Sequence, residues 1–280
     1  MKCRIIFFEG IPGIGKTTFA NKCENRLSLR GKKVVHYPDD GSKNPLNFKG
    51  LKALTKKEYR RLSKEYSKDE IIKNDIKNAN FGRYGKYIFL DSSKLNENLK
   101  EKVKDFNFYG GRLKSKDFLD SLKALYEEFV QNNKKSDEIF IFEGTLFRDV
   151  VDELYRFSYY DNTRLATEVS LLANILTPLS PTLFVLQTNF PERHLEQIKK
   201  LRTEDDKCPW ADSLIDFVKN SMYGRICKVE TFDDLELFLL REANLFELSF
   251  INSSWTKYMV NIDDYTLLNR KMEKFIDIIE

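Results

Sequence analysis

A doubly wound α/β fold on a five-stranded parallel sheet, with a helical insertion after the second strand, is predicted by three observations. Continuous apolar runs of strand length recur, at Ile5-Ile6-Phe7-Phe8, Ile139-Phe140-Ile141-Phe142 and Thr182-Leu183-Phe184-Val185-Leu186. Strands buried on both faces read this way. Amphipathic stretches alternate with these runs, as in sheets covered by helices on both sides. At the first strand-to-helix junction, Gly10-Ile11-Pro12-Gly13-Ile14-Gly15-Lys16-Thr17 reads G-x-x-x-x-G-K-T, a phosphate-binding P-loop.

The elements follow in order. Strand one covers residues 4–8, and the next helix buries Phe19, Cys23 and Leu27 at i, i+4 and i+8 before Gly31, a natural C′ residue. Strand two, residues 33–37, stops at the turn cluster Pro38-Asp39-Asp40-Gly41. A strand–helix–strand unit of this length implies a right-handed crossover. Between residues 42 and 136 no buried strand stands out. Helical patterns over 56–77, 92–105 and 116–132, broken by glycines at 82–85 and 110–111, predict the insertion. Strand three is 137–142 and strand four 181–187, with helices over 149–160 and 163–176 between them. Residues 191–201 start as a helix with proline at N1, then break into the charged, hinge-like stretch 202–209, so 191–209 reads as a closing lid. Helices over 210–222 and 232–246, a short fifth strand at 248–252 and a closing helix over 264–279 complete one domain spanning 1–280.

The 280 residues carry 47 basic and 43 acidic side chains, a balance that argues against a nucleic-acid partner. A local surplus of ten Lys/Arg over five Asp/Glu between Lys49 and Lys77 reads as a solvated helix face or as an attractor of anionic substrates. No apolar run has the roughly 18 residues that a spanning helix needs, and no signal-peptide pattern opens the chain, so the expected compartment is the cytoplasm, with no membrane partner. Cys3, Cys23, Cys208 and Cys227 form no C-x-x-C pair, and two histidines cannot complete a zinc set, so reduced structural thiols are expected.

The P-loop dictates the first site residues. Its glycines let the backbone turn so that several N–H groups and the positive end of the helix face one concavity. Gly10, Pro12, Gly13, Ile14, Gly15, Lys16, Thr17 and Thr18 are therefore the nucleotide-binding set. Lys16 reaches the β- and γ-phosphates as a point charge, and Thr17 is the metal ligand, completing a Mg²⁺ shell of water and phosphate oxygens. Glu143 ends the third strand, on the crevice side of the sheet, where it orients Mg²⁺ water or accepts a proton from an attacking hydroxyl; the plainer reading is a carboxylate stabilised by a helix N-terminus. Asp39 and Asp40 end strand two and are candidates for substrate hydroxyls or metal-bound water, or simply turn formers. Arg193 and Arg202 flank the helix after strand four and are catalytic candidates, because a planar guanidinium spreads charge over a transferring phosphoryl group. Arg148 is a candidate for an acceptor phosphate or carboxylate, and Arg83, Lys86 and Arg112 are weaker ones in the insertion. His36 and His194 show no partner in the sequence and receive no catalytic role. The aromatic residues of the insertion are expected to be mostly core.

The run Phe8-Glu9-Gly10-Ile11-Pro12-Gly13-Ile14-Gly15-Lys16-Thr17-Thr18 resembles the opening of the nucleoside-monophosphate-kinase-like branch of P-loop kinases. More narrowly, the chain resembles bacterial thymidylate-kinase-like P-loop NTPases at Asp39-Asp40, Phe142-Glu143-Gly144 and Ile251-Asn252-Ser253. The resemblance implies a sheet with the third strand beside the first, ATP as donor with Mg²⁺, and an arginine-bearing lid. Thymidylate kinases place D-R-[YF] after strand three and deoxynucleoside kinases E-R-S, whereas this chain has Glu143-Gly144-Thr145, so neither specificity carries over.

The function expected is ATP-dependent phosphoryl transfer to a small-molecule acceptor, foremost a nucleoside or nucleoside monophosphate. The alternatives are an antibiotic or other metabolite hydroxyl as acceptor, and a P-loop ATPase or switch driving a partner. GTPases carry an N-K-x-D base-reading motif; strand four here ends Gln187-Thr188-Asn189-Phe190, which leaves adenine favoured by default. The intact Lys16-Thr17 pair argues against a degenerate binding module.

Overall fold

Chain order in the computed structural model, which describes residues 3–39, 44–46, 48–144, 147–251, 254–263, 270, 273–274 and 276–277, runs as follows. The first elements are β1 (Ile5–Glu9), α1 (Lys16–Leu29) and β2 (Val34–Tyr37). Next come β3 (Leu51–Thr55), α2 (Lys56–Glu65), α3 (Glu70–Ala79), β4 (Asn80–Tyr84), β5 (Tyr87–Asp91), α4 (Glu97–Lys102) and α5 (Ser115–Asn133). The remainder is β6 (Ile139–Glu143), α6 (Phe147–Asp152), a π-helical turn (Glu153–Phe157), α7 (Asn162–Leu176), β7 (Pro181–Gln187), α8 (Pro191–Leu201), α9 (Pro209–Lys219), α10 (Met222–Cys227), α11 (Phe232–Ile251) and β8 (Thr256–Asn261). They form two compact units, Met1–Asn44 with Val130–Glu280, and Pro45–Phe129.

The first unit is built on a five-stranded sheet of order β2-β6-β1-β7-β8 with every pair parallel, as the apolar runs predict. All five residues of β1 and of β6 are buried, and alternation sends their side chains to opposite faces. Phe7 stacks on Phe142 and Trp255, with centroids 5.4 and 5.3 Å apart, while Phe8 stacks on Phe184 at 5.0 Å. Burying each such ring is worth on the order of 1.5–3 kcal/mol relative to leaving it in water. In α1, Phe19, Cys23 and Leu27 are buried as their spacing requires, and Gly31, at φ 74°, follows the helix as its left-handed terminator.

The fifth strand differs from expectation. Residues 248–251 belong to α11, whose buried positions Leu235, Phe238, Leu239, Glu242, Leu245, Phe246, Ser249 and Phe250 keep a three-to-four spacing to its end. The strand beside β7 is instead Thr256–Asn261, an edge strand whose mixed polar sequence gives no continuous apolar run. Asn252 and Ser253 lie outside the described residues, as does most of the expected closing helix; residues 273–274 and 276–277 of that segment are helical.

The second unit contains the helices read in the insertion and also three strands that the sequence reading did not include. They form an antiparallel sheet of order β3-β5-β4. The glycine break at 82–85 is a hairpin: Tyr84 pairs with Tyr87 across a turn begun by Gly85, and the register shifts between Asn80 and Gly82. Short strands interrupted by glycine at a bulge carry little periodic signal. Its core is aromatic, as expected, with Phe48, Phe89, Phe108 and Phe118 in edge and stacked contacts 4.9–5.9 Å apart. Lys86 pairs with Asp117, and Arg112 donates to the Ala53 carbonyl and to Glu58, so both are engaged within this unit.

Candidate active site

β1 ends in Glu9 and delivers the chain into the loop Gly10–Gly15 at the carboxyl edge of the sheet, with α1 starting at Lys16. Gly10 has φ 148°, and a Cβ there would stand 2.7 Å from the Leu186 carbonyl oxygen, so the loop's approach to β7 requires glycine. Lys16, 6% exposed, donates from Nζ to the carbonyls of Gly10 and Ile11 at 3.1 and 3.3 Å, with Asp39 Oδ2 at 4.0 Å. Burial, followed by the neighbouring Arg148 charge, lowers its pKa to about 8 against the pull of Asp39, Glu9 and Glu143. An anion in the loop would compensate that desolvated charge.

Glu143, fully buried at the end of β6, is held by two neighbours. Thr17 Oγ1 donates to its Oε2 at 2.5 Å, and His36 Nε2 lies 2.6 Å from its Oε1. His36 Nδ1 in turn lies 2.8 Å from Glu24 Oε2. Hydrogen bonding to Glu143 raises the His36 pKa despite burial, and Glu24 adds to the effect, which favours an imidazolium donating to both carboxylates. Next to Glu143, Gly144 has φ 53°, and a Cβ there would stand 2.5 Å from Lys16 Cε, so the glycine after the glutamate clears the path of the lysine.

Two members of this network escaped the sequence reading, Glu24 altogether and His36 in its partners. Thr17 and Glu24 are seven residues apart on α1, hence on one helix face. His36 pairs in register with Ile141, two residues before Glu143 and on the same face of the sheet. That coincidence of helix period and strand register is the signal that finds His36, and it replaces the expectation that this histidine has no partner.

Glu9 is the second buried glutamate at this edge. Phe8 is in register with Glu143, so alternation sends Glu9 to the opposite face of the sheet. Burial pushes its pKa up to about 8 despite Lys16 nearby. Arg148 Nε lies 3.6 Å from Glu242 Oε2, and Asp149, Asp39 and Asp152 also face it; these carboxylates raise its pKa against the effect of burial. The structure thus gathers Lys16, Thr17, Glu143, Asp39 and Arg148 around one edge, while Asp40 and Thr145 lie outside the described residues.

Neither Arg193 nor Arg202, the arginines expected to flank a lid, shares a hydrogen bond or ion pair with this cluster among the described residues. α8 meets the P-loop through His194, whose Nε2 donates to the Pro12 carbonyl at 3.2 Å. Arg193 is exposed and makes no hydrogen bond or ion pair among the described residues, and Arg202 places its guanidinium 4.8 Å from the Trp210 ring centroid. The hinge-like stretch after α8 is a tight turn: Glu204 and Lys207 exchange backbone hydrogen bonds across Asp205 and Asp206, both at positive φ.

No set of three metal-ligating His, Cys, Asp or Glu side chains occurs among the described residues. The adjoining Thr17 hydroxyl and Glu143 carboxylate nonetheless fit a P-loop Mg²⁺, which takes one or two protein oxygens and otherwise water and phosphate. No helix among the described residues is long and apolar enough to cross a membrane.

Sheet order and loop together are those of the α/β P-loop NTPase fold. No protein-family model and no curated protein matches the chain. Among solved structures, a thymidylate kinase from Ehrlichia chaffeensis aligns at TM-score 0.44 and 14% identity over 100% of both chains. A deoxyadenosine kinase from M. mycoides with bound dATP aligns at 0.37 and 15% identity over 97% of this chain and 98% of that one. A tRNA isopentenylpyrophosphate transferase from Bacillus halodurans aligns at 0.40 and 12% identity over 99% and 96%. Likeness at these scores carries no argument about chemistry, which rests on the site itself.

Proposed function

We propose that this protein is an ATP-dependent phosphotransferase acting on the hydroxyl of a small-molecule acceptor. Nucleosides and nucleoside monophosphates are the first acceptors to test, aminated and hydroxylated metabolites the second. The observation that carries the reading is the junction of an intact P-loop with a buried carboxylate: Thr17 and Glu143 share a 2.5 Å hydrogen bond beside Lys16.

In this reading Lys16 leaves its loop carbonyls for the β- and γ-phosphates of ATP. Thr17, with Glu143 behind it, would hold Mg²⁺, which would supply neutralisation of phosphate charge. The acceptor oxygen forms a bond to the γ-phosphorus as the bond from that phosphorus to the ADP oxygen breaks. ADP leaves with the electron pair, and the acceptor proton passes to Glu143. His36 acts as a positioning residue: anchored by Glu24, it fixes the Glu143 carboxylate against Thr17. Asp39 meets the acceptor from the end of β2, and Arg193 or Arg202 closes over the γ-phosphate. The protein supplies position and charge with little covalent chemistry of its own.

The test is acceptor-stimulated ADP release from Mg·ATP across nucleosides, nucleoside monophosphates and aminated or hydroxylated metabolites. Stimulation by an acceptor supports the reading. Equal release with and without every acceptor favours an ATPase that drives a partner.

A further inference from the structure

A cavity of about 360 Å³ opens on the face of the sheet opposite Glu143, within the first unit. Its walls are the segment from Glu9 to Pro12, the carboxyl end of β7 and the following residues through Asn189, and α11 from Leu239 to Glu247. That size lies at the small end of ligand sites, which run from about 300 to about 1,000 Å³.

The polar lining is lopsided. Glu9, Glu192, Glu242 and Glu247 contribute carboxylates, and Arg148 is the one Lys or Arg among the lining residues. Arg148 is already opposed by Glu242, and Glu247 accepts from Gln187 at 2.5 Å. Glu9 is different. It is 1% exposed, and neither of its carboxylate oxygens has a hydrogen-bond partner among the described residues. A buried polar side chain is normally satisfied, and leaving a carboxylate buried without partners costs stability. Val185, Leu239 and Leu240 line the apolar remainder. The cavity therefore offers carboxyl oxygens beside an apolar surface, and a ligand that brings an ammonium group matches them, ionising the buried Glu9 carboxyl as it binds. An anionic ligand brings no such compensation.

We propose that this cavity holds the amine end of the acceptor of the phosphotransferase described above, and that it selects hydroxyl-bearing small molecules carrying a protonated amine, with the ammonium group seated on Glu9 and Glu242. The acceptor hydroxyl then reaches past Lys16, the neighbour common to Glu9 and Glu143, to the Glu143 side of the sheet edge. The proposal rests on the phosphotransferase reading and narrows its acceptor class: hydroxylated amines bind, and nucleoside monophosphates do not. Glu9, adjacent to the P-loop, recognises the acceptor and takes no part in the chemical step. The high pKa that burial gives its carboxyl accords with this, because a bound ammonium supplies the compensation that water cannot reach to give.

Calorimetric titration of the full chain tests the assignment. The probes are glucosamine, 2-deoxystreptamine and 3′-amino-3′-deoxythymidine, each beside its N-acetyl form, with thymidine monophosphate as the anionic probe and Mg·ATP as a separate titrant. At least one amine is expected to bind tenfold or more tightly than its N-acetyl form. Glu9→Gln should weaken that binding tenfold or more while Mg·ATP affinity stays within twofold. A readout free of any ligand accompanies it: Glu9→Leu should raise Tm by a few degrees, because an unpartnered buried carboxyl is replaced by an apolar side chain. The assignment is overturned if no amine outbinds its N-acetyl form, if thymidine monophosphate binds as well as the amines, if Glu9→Gln leaves amine binding unchanged, or if Glu9→Leu lowers Tm. Loss of Mg·ATP binding by the wild-type protein would instead overturn the phosphotransferase reading, so the two failures are separable.

Discussion

Two glutamates end adjacent parallel strands, both are almost fully buried, and they live in opposite circumstances. Glu143 has each carboxylate oxygen engaged, by Thr17 on one side and His36 on the other. Glu9, on the other face of the same sheet edge, has neither oxygen engaged among the described residues. Burial alone therefore does not define the role of a carboxylate; its partners do. A carboxylate locked by two donors is positioned for a fixed task, and one left without donors is prepared for a guest that brings them. Lys16 is the neighbour common to both.

The contrast predicts graded effects. Lys16→Ala should abolish transfer while leaving the fold intact, measured as loss of acceptor-dependent ADP release with an unchanged circular dichroism spectrum; retained turnover would remove the charge shared by the two sites from the account. Arg202→Ala or Arg193→Ala, whichever supplies the closing cation, should lower kcat by about 10³-fold with little change in ATP affinity, the pattern of an interaction made in the transition state. Full transfer rates in both variants would shift that role to Arg148.

Glu143→Gln keeps the shape of the side chain and should lower kcat by about 10²-fold or more, as for loss of a general base. A fall in Tm with kcat unaltered would mark Glu143 as a structural cap. His36→Gln, which disturbs only the orientation of Glu143, should cost less, about 10-fold in kcat with unchanged acceptor KM. A change confined to KM would contradict the positioning role.

The smallest effect separates the two carboxylates by pH. Between its ordinary 4.5 and about 8, folded Glu9 holds a proton that the unfolded chain has released, so stability falls as pH rises across that window. The stabilisation from His36 runs the same way: it is complete below the ordinary histidine value of 6.5 and is lost as pH rises through the raised folded value. Melting curves from pH 4.5 to 8 should therefore slope downward, more gently in Glu9→Leu and separately so in His36→Gln. An unchanged slope in Glu9→Leu would contradict the state assigned to Glu9.

Much of this architecture was legible in the sequence because it rests on local rules. Apolar runs marked β1, β6 and β7, glycine and lysine spacing marked the loop, and the end of β6 placed Glu143 in the crevice. Features set by tertiary context were not legible. The edge strand β8 lacks an apolar run because it pairs with one neighbour alone, and the end of α11 matched a strand because its apolar residues are continuous at 245–246 and 250–251. The strands of the second unit are short and interrupted by glycine. Among site residues, Glu9 belongs to the motif run, but its want of partners among the described residues is a property of the packed structure and leaves no trace in sequence. His36 was recoverable, since Glu24 on α1 and the β2–β6 register that sets it beside Glu143 both point to it.

The measurement that tests the central claim most directly is ³¹P NMR of the wild-type protein with Mg·ATP and the acceptor panel, followed over time and repeated with Lys16→Ala. The account predicts a new phosphoester resonance that grows in step with ADP in the presence of an acceptor and is absent from the variant. Inorganic phosphate as the only product with every acceptor, or the same phosphoester at the same rate from Lys16→Ala, would contradict it.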